Sequence, residues 1–197
     1  ESPVNDDIAF LIASVDAFFG VIDEVNEIRV IGGEPFMHKQ IHLVVERLLR
    51  EPKLRRVLIY TNATIVPRPE QLAIFSNPKV LFIITNYGEL SRNHDKLIAV
   101  LRENNIAYVS TPPYNWTDCG KIGRHNRTED EQKHIFGSCC VKNTFNISQG
   151  SLFRCPFSAN AFRLHAVPNF REDHVPFMGR DRDEVRAEMR RFIFEME

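Results

Sequence analysis

Cysteine is absent from the first 118 residues of this chain; all four, Cys119, Cys139, Cys140 and Cys155, lie between positions 119 and 155. A disulfide scaffold is therefore a poor description of a 197-residue chain that has the length to bury a core without staples. Cysteines gathered in one segment read instead as metal ligands or buried thiols in a reducing, cytoplasmic compartment. N-x-S/T sequons begin at Asn62, Asn115, Asn126 and Asn146, but Asn62 falls at a strand end, so glycosylation is discounted. An excess of charge of either sign is also missing. Twenty-five Lys and Arg face 26 Asp and Glu, for a formal charge of -1, and no electrostatic case for nucleic acid or a membrane surface exists. No apolar run approaches the roughly 20 residues of a membrane-spanning helix. Nucleotide and hydrolase signatures are absent too: there is no G-x-x-x-x-G-K-[ST], G-x-G-x-x-G, H-E-x-x-H or G-x-S-x-G. The first residue is Glu and no basic-then-apolar signal precedes the first helical pattern, which is expected of a fragment or a processed product.

What is present is alternation. Residues 5–22 space their apolar groups as a helix does, and Asp6 and Asp7 suit its positive end. EIRVI (27–31) reads as a strand ending at Gly32-Gly33-Glu34-Pro35, and 37–50 as an amphipathic helix. Strand 55–62, a short helix near 68–76, strand 79–86, a helix around 91–104 and strand 106–110 follow. Because the strands are apolar throughout, the pattern predicts a parallel sheet covered on both faces. It leaves open whether the sheet is flat or bends into part of a barrel.

After residue 111 the texture changes, and a second region is expected over 112–197. Residues 112–138 have little periodicity. A hairpin over 141–156 should turn at Gln149-Gly150, 157–165 should form a helical turn, and 180–197 a charged helix.

In a parallel α/β sheet the polar groups at the C-terminal strand ends line the functional face. Three successive strands end in Gly32-Gly33-Glu34, Thr61-Asn62 and Thr85-Asn86. The glycines let a ligand approach the backbone, and Glu34 offers a carboxylate to a cation, most naturally an ammonium group. The plainer reading is that Glu34-Pro35 starts a helix and that Thr-Asn pairs are turn residues. His38 and His42, four apart on one helix, are better explained by a half-exposed face than by a metal. Cys140, nine further residues including the turn, then Gly150, four more and Cys155 bring two thiols together around a hairpin, as zinc or an iron–sulfur cluster requires. Cys139 is the alternative to Cys140, and Cys119 is the third candidate. Small buried hydrophobes are the competing account of these cysteines.

IRVIGGEPFMHKQIHLVVERL followed by VLIYTNAT resembles the GGE region of radical S-adenosylmethionine enzymes, and Cys-x9-Gly-x4-Cys with NISQGSLFRCP resembles the first half of a SPASM-type extension. The two together span roughly residues 5–160. The resemblance implies a partial (β/α) barrel over 1–111 followed by a small cysteine-containing hairpin and helix extension over 112–197. It assigns Gly32, Gly33 and Glu34 to the amino group of S-adenosylmethionine. More loosely, it places Thr61, Asn62, Thr85 and Asn86 toward cofactor and substrate. Cys140 or Cys139, with Cys155, would ligate an auxiliary cluster; Cys119 matches no motif position and is a candidate by proximity alone. In the family a catalytic [4Fe–4S] cluster splits S-adenosylmethionine, and the radical abstracts hydrogen from a small-molecule, sugar or peptide substrate, with an external electron donor. The CxxxCxxC motif that binds that cluster is not among these residues, so the expectation is a middle segment of a longer enzyme, inactive alone. The alternative is a non-catalytic α/β domain whose cysteines hold a structural zinc for a protein partner.

Overall fold

The computed structural model describes residues 6–114, 123, 125–142 and 144–195. Helix α1 (Ile8–Val21) starts where the Asp7 carboxylate accepts from Phe10 N at 3.0 Å, satisfying a first-turn amide that has no partner within the helix. The chain then alternates through β1 (Val25–Val30), α2 (Ile41–Leu49), β2 (Leu54–Thr61), α3 (Pro69–Phe75), β3 (Val80–Thr85), α4 (His94–Glu103) and β4 (Ala107–Thr111). The four strands form one parallel sheet in the order β1-β2-β3-β4. Parallel crossovers are right-handed, so strands added always in the same direction carry α2, α3 and α4 on one face. Burial follows that rule. Val80, Phe82 and Ile84 are fully buried, whereas Leu81, Ile83 and Thr85 between them are half-buried, and Val109 on β4 is exposed. The sheet expected to be covered on both faces is thus well covered on one.

The covered face is built on aromatic packing. Phe36, Phe75 and Phe82 lie with ring centroids 5.7–5.9 Å apart, joining the segment after β1, the end of α3 and the middle of β3. Helix α2 begins at Ile41 rather than 37 because Pro35–Met37 forms a separate 3-10 turn, capped by Glu34, and the His38 ring accepts from Gln40 N.

The chain divides into two compact units between residues 116 and 117. The second holds α5 (Glu129–Gly137), β5 (Asn146–Ser148), β6 (Ser151–Phe153), α6 (Pro156–Arg163), β7 (His174–Pro176) and α7 (Arg182–Phe194), with β5-β6-β7 antiparallel. The hairpin turns at Gln149 (φ 47°) and Gly150 (φ 70°), the pair of left-handed residues that a two-residue connection of right-twisted strands requires. Helix α5 falls where little periodicity is visible. No residue of it is buried, and a capping box between Thr128 and Glu131 with three acidic first-turn residues supports it locally. In this unit the Arg154 guanidinium sits 5.3–5.8 Å from the ring centroids of Phe136, Phe145 and Phe192 and donates to the Phe192 carbonyl. No helix of the described residues is long and apolar enough to cross a membrane.

Phe82→Ala removes the ring shared by Phe36 and Phe75 from a site with 0% exposure. Denaturant unfolding should show a loss of about 3–5 kcal/mol. A loss below about 1 kcal/mol would mean that the cluster is not the centre of the sheet's packing.

Candidate functional site

Glu34 follows β1 through two glycines, and its side chain turns inward until only 6% of the residue is exposed. A carboxylate out of water must have its lone pairs filled. Here Oε2 accepts from Thr61 Oγ1 and from Asn62 N, both at 2.8 Å, and Oε1 accepts from Thr61 Oγ1 at 3.0 Å and Phe36 N at 3.2 Å. Among the described residues no Lys, Arg or His forms an ion pair with it. Burial therefore holds the Glu34 carboxyl above the ordinary carboxylate range, opposed by the hydrogen bonds from Asn62, Thr61 and Phe36. Each oxygen also receives one backbone N–H that cannot reverse its direction, so the pattern is made for the ionised form.

The donors are themselves held. Ala63 N donates to Thr61 Oγ1 at 3.1 Å, and Ala63 has φ 58° with 0% exposure, a left-handed alanine at a strand end. Asn62 Oδ1 closes a turn by accepting from Thr64 N at 3.0 Å and Thr64 Oγ1 at 2.6 Å. The next loop is tied on by Ser91, whose hydroxyl donates to Asn62 O at 2.7 Å while accepting from Tyr87 N at 2.8 Å. Asn93 adds bonds from its N–H to Ala63 O and from Nδ2 to Thr64 O. Polar contacts thus run from the β1 end to the β2 end and on to the segment before α4.

Of the residues singled out from sequence, Gly32, Gly33, Glu34, Thr61 and Asn62 come together, with Thr61 and Asn62 acting as supports of the carboxylate. Gly32 and Gly33 are exposed, and a Cβ built on either meets nothing within 4 Å. That open backbone beside a buried carboxylate, unpaired with any cation among the described residues, is what a ligand carrying an ammonium group needs. Thr85 and Asn86 make no hydrogen bond to Glu34. Asn86 Oδ1 accepts from Gly88 N at 2.9 Å, a turn bond, its N–H goes to Thr111 O, and Thr85 O takes a 3.3 Å bond from Ser91. Ser91 and Asn93 were not anticipated; the polar run Ser91-Arg92-Asn93 ahead of α4 was the available signal.

His38 and His42 engage other partners: His38 Nε2 lies 3.0 Å from Asp6 O, and His42 Nδ1 lies 3.3 Å from Gln71 Nε2. Cys119 lies outside the described residues. Cys139 is half-buried in the turn after α5, Cys140 is exposed, and Cys155 caps α6, its sulfur accepting from Ser158 N at 3.4 Å. All three are free thiols, and among the described residues no three His, Cys, Asp or Glu gather as a metal site. Comparison with protein-family models and with curated proteins gives no match.

A carboxyl whose folded pKa is raised supports folding most fully below its unfolded value, and that support is lost as pH rises through the folded one. Thr61→Val removes a donor that favours the ionised form, so it should push the Glu34 carboxyl further up and widen that window. Urea unfolding across pH 4–8 should show the variant losing about 1–3 kcal/mol at neutral pH and less in acid. Parallel profiles for the two proteins would contradict this assignment.

Proposed function

We propose that this chain is the β/α core of a radical S-adenosylmethionine enzyme, a partial (β/α) barrel followed by a SPASM-like auxiliary iron–sulfur region. One observation carries the reading: Glu34 is a buried carboxylate with no cation among the described residues, reached past two glycines with open space above them. The sequential order of four parallel strands, with one face left partly open, is compatible with a barrel wall whose inner face bears Tyr60, Leu81 and Ile83.

In this reading the amino group of S-adenosylmethionine donates to Glu34, which compensates the charge that burial penalises. Gly32 and Gly33 admit the methionine moiety against the backbone. Thr61 and Asn62 favour the ionised carboxylate against the effect of burial and aim it, while Ser91 and Asn93 fix the loop that carries them. When bound, S-adenosylmethionine would supply hydrogen-abstraction chemistry, its electron arriving through a [4Fe–4S] cluster whose CxxxCxxC ligands are not among these residues. Thr85 and Asn86 keep the looser role of bordering substrate, which belongs to the small-molecule, sugar or peptide classes; an external donor provides the electron. Cys140 or Cys139, Cys155 and Cys119 are the proposed ligand candidates for an auxiliary cluster, in a cytoplasmic, reducing setting.

Gly33→Ala separates cofactor contact from folding, because the added methyl group meets no protein atom. Thermal unfolding should be unchanged or slightly raised, since replacing Gly adds at most about 1 kcal/mol through the unfolded chain. Equilibrium dialysis against S-adenosylmethionine should show at least a tenfold weaker association than the parent chain. Equal affinity would remove the glycines from the site. On anaerobically purified protein, iron with matching acid-labile sulfide supports the auxiliary cluster. Stoichiometric zinc without sulfide would replace it with the structural-zinc, protein-interaction reading.

A further inference from the structure

At the opposite edge of the sheet, at β4, the structure brings together three residues that the preceding reading does not use. His94 is the first residue of α4, and Ser110 is the penultimate residue of the edge strand β4. His94 Nε2 lies 2.9 Å from Ser110 Oγ, and His94 Nδ1 lies 3.0 Å from Asp95 Oδ1. The two contacts are chemically consistent with one tautomer. A carboxylate only accepts, so Nδ1 carries the hydrogen toward Asp95, and Nε2 is left with the lone pair that faces the serine hydroxyl. Other serines show the contrast: the Ser76 hydroxyl donates to Leu72 O and the Ser91 hydroxyl to Asn62 O. A carbonyl oxygen cannot take the proton away; an imidazole nitrogen can.

We propose that Ser110 is an activated nucleophile with His94 as its general base and Asp95 as a positioning residue, giving the chain an acyl-transfer activity toward small, unhindered esters. Ser110 is exposed, so an ester can reach it, while the His94 side chain is held at 20% exposure. In the forward step the Ser110 Oγ–acyl carbon bond forms as His94 Nε2 takes the hydroxyl proton. The ester C–O bond then breaks, and the alcohol leaves with that proton. Water next attacks the acyl-serine, giving its proton to His94, and the acid is released as Ser110 regains a hydrogen. Ester and water become acid and alcohol with no other reactant. The Asp95 side chain is fully exposed, so its hold on the imidazole is screened and its share of the rate is small beside that of the base.

The test is labelling of the full chain with a fluorophosphonate, in which an O–P bond forms at Ser110, fluoride leaves, and His94 accepts the proton. Peptide mass spectrometry should find Ser110 labelled about 100-fold or more faster than exposed Ser76. His94→Ala and His94→Gln should each slow labelling about 100-fold or more. His94→Gln keeps a hydrogen-bonding group beside the serine but cannot take its proton, and circular dichroism checks that both variants retain their helices. Asp95→Asn should slow labelling only a few-fold and should shift the His94 ring toward the other tautomer, read from its 15N chemical shifts. Labelling of Ser110 no faster than Ser76, or a His94→Gln chain labelled as fast as the parent, would overturn the proposal.

Discussion

A carboxylate taken out of water, with no counter-ion among the described residues, sets the terms for the first unit. Glu34 is accommodated because two backbone N–H groups and one hydroxyl converge on it from the end of β2 and the turn before α2. Those donors converge only if β1 and β2 are parallel and in register, with Val30 beside Ile59, so that the chain leaving β1 passes the end of its neighbour. The same demand explains the left-handed Ala63, strained by about 1–3 kcal/mol, since its N–H must return to Thr61 Oγ1 while its carbonyl meets Asn93 N. Remove the charge, and the turn has little reason to take this form.

Aromatic packing supplies what the polar contacts do not. Phe36 stands two residues beyond Glu34 and stacks on Phe82, 5.9 Å away, so the loop that bears the carboxylate is anchored in the core of the sheet. A polar group fixed on one side by buried rings and on the other by strand ends loses little entropy when a ligand arrives, which is the usual advantage of a preformed site. The exposed glycines before it are the unobstructed part.

Much of the first unit was legible in the sequence because its signals are local and strong. Continuous apolar strands, Gly32-Gly33 at a strand end and the helical spacing of α2 and α4 each give the element within a few residues. The partly open sheet face was not legible: apolar residues such as Leu81 and Ile83 look alike whether a helix covers them or not. Nor was the division of labour among the strand-end pairs. Thr61-Asn62 and Thr85-Asn86 are the same dipeptide, and only the long-range arrival of Glu34 separates a carboxylate support from a turn. In the second unit, the hairpin followed from Gln149-Gly150. Helix α5 hid because its stability rests on the Thr128–Glu131 cap rather than on an apolar stripe, and β7 is too short to show a period. The contact of His94 with Ser110 joins positions 16 apart that carry no shared motif.

We propose that the buried Glu34 carboxylate receives the ammonium group of S-adenosylmethionine. The decisive experiment follows the Glu34 side-chain carboxyl by 13C NMR through a pH titration, with and without millimolar S-adenosylmethionine. Without ligand the titration midpoint should lie above the ordinary carboxylate range, because burial opposes the charge. With ligand it should fall, because the neighbouring ammonium favours the ionised form. A midpoint that does not move when the cofactor is added would contradict the account.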